Sequence, residues 1–399
     1  MPGAHFIYLH CMRISTVIFL LAAYTANAQQ EADSFYLVRS SAKLTMLATG
    51  LGEDRLGGAK IGYIDSSVLL RIIDSAKDQY LVHLSENHTA YISNRDCKPD
   101  TTTQLRPYYL TNSFSVKGDD AYDYVNISLD ERLPYKSWME INPSKIFIDI
   151  YGVQSNTNWI TQLKNVKEIK NVYFNQVEDD VVRVTIELQH QQHWGYSINY
   201  KDNLLSVRVR RQPSPLKLSN LVIAIDPGHG GSNSGATGVT SKAFEKNFTL
   251  RFANELDKRI RKKIRRIIMT RNSDTTFNNI DRALFLQSEM PDLLISLHFN
   301  SSSNQNVNGA STYYKHIGFR SLTTAILDRL LELNVSEFGN VGNFNFTLNA
   351  LTDFPGSLVE IAFLSNPADE QKILDAHFQR EVAKKIHKGI KDWVKIAKR

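Results

Sequence analysis

Cysteine is almost missing: 399 residues hold two, Cys11 and Cys97. Cys11 falls in a segment that export would remove, which leaves one thiol. One thiol makes neither an internal disulfide nor a cysteine-based metal cage, and Cys97 reads as a half-buried apolar residue. Long apolar runs are scarce too. Residues 14–23 (Ile-Ser-Thr-Val-Ile-Phe-Leu-Leu-Ala-Ala) are too few for a membrane span. They precede Ala26-Asn27-Ala28, a small-x-small site, and Gln29-Gln30. That pattern predicts a secretory signal peptide over residues 1–28, cut after Ala28. Met12-Arg13 would open a compact leader, so Met12 is an alternative start. No Cys closely follows the apolar run, which argues against a lipoprotein anchor. The mature chain is expected to lack a transmembrane helix and to work outside the cytoplasm, in the periplasm or cell envelope. Internal repeats and long low-complexity tracts are also missing.

What remains is ordinary globular composition, 42% hydrophobic and 22% charged, in a chain long enough for two or three domains. The net charge of +6 suits a polyanion. With an export signal in front, anionic wall polymer is the expected partner, and nucleic acid is not.

The expected fold class is multidomain: a C-terminal α/β domain with a mostly parallel sheet covered by helices on both faces, preceded by two small all-β domains. Residues 29–100 hold short β-type runs around Phe35, Val68, Tyr80 and Ala90, and such closely spaced strands suggest a small barrel. Their order and the closing Thr89-Ala90-Tyr91-Ile92-Ser93 resemble the bacterial Src-homology-like barrels of secreted wall enzymes. A polar linker follows at Pro99. Residues 113–212 hold four more β-runs. In the third, Val182, Val184, Ile186 and Leu188 share one face, and Arg183, Thr185 and Glu187 the other, as in a sheet with one wet side. This region resembles the AMIN type of β-sandwich. Trp138, Trp159 and Trp194 are expected to be packed inside rather than offered to sugar rings. Pro213-Ser214-Pro215 marks the next boundary. Residues 220–399 alternate strands and helices; Phe248, Phe252, Leu256 and Ile260 form one helical stripe.

Ligands in such sheets bind outside the carboxyl ends of the strands. The strand at Val222 breaks there into Gly228-His229-Gly230-Gly231, the strand at Leu293 ends in His298, and the strand at Gly356 carries Glu360. Glu245 opens the intervening helix. Two imidazoles and one carboxylate make a three-ligand set that leaves a fourth position for water, and the mix suits zinc more than calcium or magnesium. The bland alternatives are a tight glycine turn, a solvated carboxylate favoured by the helix dipole, and satisfied histidines. The last is the reading for His10, His83, His88, His190, His193, His316, His377 and His387. The glycine turn lacks the Lys-Ser/Thr of a phosphate loop, so no nucleotide is expected. Asp226 and Asp292 read as turn or cap residues, and Arg271 and Arg282 as partners of local carboxylates.

Asp226-Pro227-Gly228-His229-Gly230-Gly231, Glu245-Lys246-Asn247, Thr270-Arg271 with Asp274, Arg282, Ser296-Leu297-His298-Phe299-Asn300, and Val359-Glu360 through Phe363-Leu364-Ser365-Asn366-Pro367 occur in this order. Together they resemble the zinc-dependent N-acetylmuramoyl-L-alanine amidases from about Leu221 onward. The resemblance implies one Zn2+ held by His229, Glu245 and His298, with Glu360 catalytic. It implies peptidoglycan as substrate, cut between N-acetylmuramic acid and L-alanine. That family often has an Arg shortly before the last strand, where this chain reads Phe346-Thr347-Leu348-Asn349. The grip on the substrate peptide therefore departs from the family's; Asn300 and Asn349 are candidate contacts. Some relatives carry a helical plug that needs an activator protein; the short loops here predict none. The competing readings are a non-catalytic wall-binding protein and a zinc peptidase acting within the stem peptide.

Overall fold

The computed structural model describes residues 36–52, 57–163 and 165–398. The expected signal peptide, with His10, Cys11 and the Met12 start, lies outside the described residues. Seven short strands come first, Tyr36–Ser40, Thr45–Thr49, Ala59–Ile64, Leu69–Ala76, Gln79–Ser85, His88–Ser93 and Cys97–Pro99, joined in one sheet with Ala59–Ile64 at its edge. Thr45–Thr49 and Ala59–Ile64 were not foreseen. Glycines at 50, 52, 57 and 58 interrupt that stretch and mask its alternation. Cys97 is half-buried, and burial pushes its thiol up to about 12, which disfavours the thiolate.

The second region folds as two sheets. One runs in the order Tyr135–Ile141, Ser144–Tyr151, Val181–Leu188, Ile169–Glu178. The other contains Tyr109–Gly118, Tyr122–Leu129, Leu204–Arg210 and Tyr196–Lys201, so its first strand starts before residue 113. Val182, Val184, Ile186 and Leu188 are buried as the alternation predicts. Thr185, expected on the wet side, is buried too, between Phe147 and Tyr173 of the neighbouring strands. Trp194 is buried, but Trp159 is 71% exposed, which corrects the expectation that it packs inside. It sits just before a three-residue edge strand, Ile160–Gln162, that pairs with Tyr109–Gly118.

The third region is built on β1 (Val222–Pro227), β2 (Arg266–Met269), β3 (Leu293–Asn300), β4 (Ala310–Tyr313), β5 (Glu337–Val341) and β6 (Gly356–Phe363), in spatial order β2-β1-β3-β6-β4-β5. Neighbours run parallel except β4 and β6. The helices are α1 (Glu245–Ile260), α2 (Asn279–Glu289), α3 (Arg320–Leu331), α4 (Pro367–Leu374) and α5 (Ala376–Ile396). Strand side chains alternate between faces. Ile223, Ile225, Ile295 and Leu297 pack with Phe248, Phe252, Leu256 and Ile260 of α1 and with α3 and α5; Ala224, Ile268 and Leu294 pack with Ala283 and Leu286 of α2. The C-terminal helical run divides at Asp375, whose carboxylate accepts the His377 N–H at 2.8 Å and caps α5. Strand β5 was missed because it is exposed and carries no apolar alternation. Among the described residues no helix is long and apolar enough to cross a membrane.

The second and third regions are joined by more than a linker. Trp194 and Trp393 of α5 meet at 5.1 Å, and the Trp393 indole N–H reaches Gln192 at 3.0 Å. Gly195, at φ 105°, brings the chain so close to Asp353 that a Cβ would sit 2.3 Å from its carbonyl oxygen. Asp292 lies in the bend before β3, as a turn residue would, and does more. It accepts the Val222 N–H at 2.6 Å and the Arg210 guanidinium at 2.7 Å, tying β1 to the sandwich. Replacing Trp393 with Ala empties this joint. Unfolding in denaturant is expected to show a loss of about 3–5 kcal/mol, the usual cost of deleting a buried aromatic.

Candidate metal centre

The site begins at the end of β1. Asp226 is 1% exposed. It accepts hydrogen bonds from Thr270 Oγ1 and Ser296 Oγ, both at 2.6 Å, and pairs with Arg282, itself 2% exposed. Burial pushes this carboxyl up, but the Arg282 charge and the two hydroxyls outweigh it and hold the pKa below the ordinary range. Asp226 is thus a buried hub and not the turn or cap residue expected. Arg282 also donates to the carbonyls of Pro227 and His229. Arg271 was expected to meet a carboxylate; instead it donates to the carbonyls of Pro227, Gly228 and Lys246 and to Thr249 Oγ1. Two guanidiniums therefore pin the carbonyls of the turn, and the ring of His229 projects from a backbone held at φ 62°.

Three donor atoms converge above this turn. Glu245 Oε1 lies 3.0 Å from His229 Nε2 and 3.1 Å from His298 Nδ1, and the two ring nitrogens are 3.2 Å apart. Glu245 is 3% exposed, not the solvated helix-start carboxylate of the bland reading. Its oxygens accept the N–H groups of Phe299 at 3.0 Å and Ala236 at 2.8 Å. Burial pushes its pKa up, but His229 and His298 outweigh that and hold it well below the usual carboxylate range. Asn233 fixes the first ring. Its Oδ1 takes the Gly235 N–H at 3.2 Å, so the same oxygen accepts from His229 Nδ1 at 2.9 Å. In the neutral imidazole Nε2 then carries a lone pair aimed at a carboxylate, an arrangement that calls for a cation. The spacing fits one: ligand bonds of about 2.0–2.1 Å in a tetrahedron place donors roughly 3.4 Å apart. Among the described residues this is the group of His, Cys, Asp or Glu side chains that converges in this way.

Glu360 is the cross-strand neighbour of His298 in the β3–β6 pairing. The register shifts immediately after this pair, a bulge of the kind that re-aims side chains beside active sites. Glu360, His229, Glu245 and His298 line one cleft of about 1000 Å³ with Asn300, Phe346, Thr347 and Leu348. Asn300 donates to the Tyr313 hydroxyl at 3.3 Å. Asn349, expected beside the substrate, is 5% exposed and donates to the Tyr313 carbonyl at 3.0 Å; its three predecessors form the wall instead. The remaining described histidines lie outside this group: His88 meets Glu178, His190 meets Glu168, and His316 meets the Ala350 carbonyl. Sequence reasoning missed Asn233 and the Asp226 hub. Asn233 offered one signal, an amide four residues after a glycine-flanked His.

Residues 223–392 match the model of the N-acetylmuramoyl-L-alanine amidase family, and residues 113–211 match the AMIN domain. A relative described as "Probable cell wall amidase LytH" in Staphylococcus epidermidis is 31% identical over 200 residues, spanning 50% of this chain and 67% of the relative. The protein of the same description in Staphylococcus saprophyticus is 26% identical over 284 residues, spanning 71% and 88%. Among solved structures, the catalytic domain of CwlV, an N-acetylmuramoyl-L-alanine amidase from Bacillus (Paenibacillus) polymyxa var. colistinus, aligns at 28% identity and TM-score 0.41, over 44% of this chain and 99% of that one. An AMIN domain followed by an amidase catalytic domain marks the chain as a cell-wall hydrolase. The chain belongs to the N-acetylmuramoyl-L-alanine amidase family, whose activity is on peptidoglycan.

Two substitutions separate the turn's roles. A Cβ on Gly228 would lie 2.1 Å from the His298 ring. Gly228→Ala is expected to weaken metal binding on the order of 10–100-fold in chelator competition, because it displaces a ligand ring, while the far-ultraviolet spectrum stays unchanged. Asp226→Asn strands Arg282 and is expected to cost roughly 3–5 kcal/mol. The native pKa of Asp226 is depressed, so its contribution is present above the unfolded value of about 3.9 and is lost as pH falls through the folded value. Unfolding curves of the variant should therefore lack that acid-side decline.

Proposed function

We propose that the chain is an exported zinc amidase that cleaves the amide between N-acetylmuramic acid and L-alanine in peptidoglycan. His229, Glu245 and His298 hold one Zn2+, and Glu360 is general base and then general acid. In this reading residues 29–100 are a barrel, 113–212 a sandwich that keeps the enzyme in the envelope, and 220–399 the catalytic domain. The observation that carries it is the triangle of donor atoms, 3.0, 3.1 and 3.2 Å on its sides, with a second carboxylate, that of Glu360, lining the same cleft.

When bound, zinc lowers the pKa of water to about 7 and polarises a carbonyl. The chain does the rest. Asn233 holds His229 in the tautomer that presents Nε2, and the N–H groups of Phe299 and Ala236 fix the Glu245 carboxylate. Glu360 is 8% exposed and sits beside Tyr313, whose hydroxyl is pushed up by burial and, secondarily, by the Glu360 charge. Its carboxylate takes the proton of the attacking water and returns it to the departing alanine nitrogen. Asn300 and the wall at Phe346, Thr347 and Leu348 position the substrate. The side chains of His229 and His298 are 22% and 17% exposed, which supports a cleft open to solvent.

Incubation of peptidoglycan with the purified chain alone tests this reading. An amidase leaves intact stem peptides with free N-terminal alanine; a peptidase leaves shortened stems. Glu360→Gln is expected to lower turnover by roughly 10²–10⁴-fold with zinc content unchanged, measured by mass analysis of the digest and by metal assay. Full activity in that variant refutes the assignment of Glu360.

A further inference from the structure

The wall at Phe346 is not held by the catalytic domain alone. Strand Ala59–Ile64 lies at the edge of the N-terminal sheet, so among the described residues no strand pairs with its outer side. Asn345 meets that side across 285 residues of sequence. Its Oδ1 accepts the Lys60 N–H at 2.8 Å, and its Nδ2 donates to the Gly58 carbonyl at 2.8 Å. The side-chain amide thus imitates one residue of a pairing strand. Lys60 Nζ returns a bond to the Asn345 carbonyl at 2.8 Å. A second contact lies alongside: Tyr63 and Leu44 of the N-terminal region pack on the cluster that contains Leu348, Leu351 and Phe354, and the Tyr63 phenol faces Thr347. Between β5 and Leu348 the chain has no regular structure of its own to stiffen it. The ring of Phe346 lies 4.6 Å from Phe344 and 5.9 Å from Tyr313, and Tyr313 carries Asn300.

We propose that the N-terminal sheet is a working part of the cleft: its edge strand, clasped by Asn345, sets the position of the wall formed by Phe346, Thr347 and Leu348, and so the grip on the glycan–peptide polymer. This rests on the amidase reading above. Asn345 is a positioning residue; it acts through its neighbours and does not touch the metal ligands. The geometry is specific for asparagine. Aspartate keeps the length and acceptor but turns a lone pair toward the Gly58 carbonyl where Nδ2–H stood, and alanine removes both bonds.

The test uses the full chain with Asn345→Asp and Asn345→Ala. The expected result is a rise in KM for peptidoglycan of about tenfold, with kcat within about twofold of wild type, the pattern of lost substrate positioning. Zinc content and the pH profile stay as in wild type. A parallel arm measures sedimentation with insoluble peptidoglycan for Glu360→Gln with and without Asn345→Asp, where the dissociation constant should rise by a similar factor. Absence of hydrolysis by wild type would defeat the amidase reading alone, and the sedimentation arm would still judge the clasp. Unchanged KM in both variants, or, where wild type does not hydrolyse, an unchanged dissociation constant with Asn345→Asp, overturns the proposal. So does a fall in kcat accompanied by loss of zinc, which would place Asn345 in support of the metal centre.

Discussion

A carboxylate and a guanidinium buried side by side must regain in mutual attraction and hydrogen bonds what each loses in leaving water. Asp226 and Arg282 do so with help. Thr270 and Ser296 donate to the carboxylate, and the rest of the guanidinium goes to the carbonyls of Pro227 and His229. The pair sits directly beneath the turn, so the same contacts that neutralise a buried charge fix the backbone from which His229 projects. Strand β3 reaches the same carboxylate through Ser296 and, two residues on, delivers His298. The first and third strands are thereby locked in the relative position the two imidazoles need.

The remaining ligand arrives by a different route. Glu245 is the first residue of α1, and its backbone N–H bonds to the Ala236 carbonyl while its side chain takes the Ala236 N–H. Gly235 sits at φ 67°, where a Cβ would crowd the Glu245 carboxylate at 2.5 Å. The loop after the glycine turn thus folds against the helix it leads into. Helix, turn and strand are each fixed by local geometry, and the triangle of donors is the product of three such fits.

Much of this was legible in the chain. The alternation at Val182–Leu188 and the four-residue stripe at Phe248–Ile260 named buried faces that the fold uses. His229, His298 and Glu360 stood at strand ends, where α/β sheets bring residues together. What escaped notice depends on partners distant in sequence. Asp226 and Arg282 are 56 residues apart, and neither neighbourhood reveals the other. Arg271 looked like an ion-pair residue because guanidiniums so often are; here backbone carbonyls and the Thr249 hydroxyl take its donors. Trp159 looked like core because tryptophan usually is, but it stands beside an edge strand and is exposed. Asn349 was named from its place in the sequence, but the chain turns there and leaves the preceding three side chains at the cleft.

The joint between the sandwich and the catalytic domain has a further meaning. A targeting module on a flexible tether lets its enzyme sample a sphere whose radius is the tether length. Here two tryptophans, a glycine pressed against Asp353 and the Arg210–Asp292 contact remove that slack. The cleft is therefore carried at one bearing and one reach from the sandwich, so the separation of the two is a property of the fold, and lengthening the Pro213–Pro215 connection alone cannot change it.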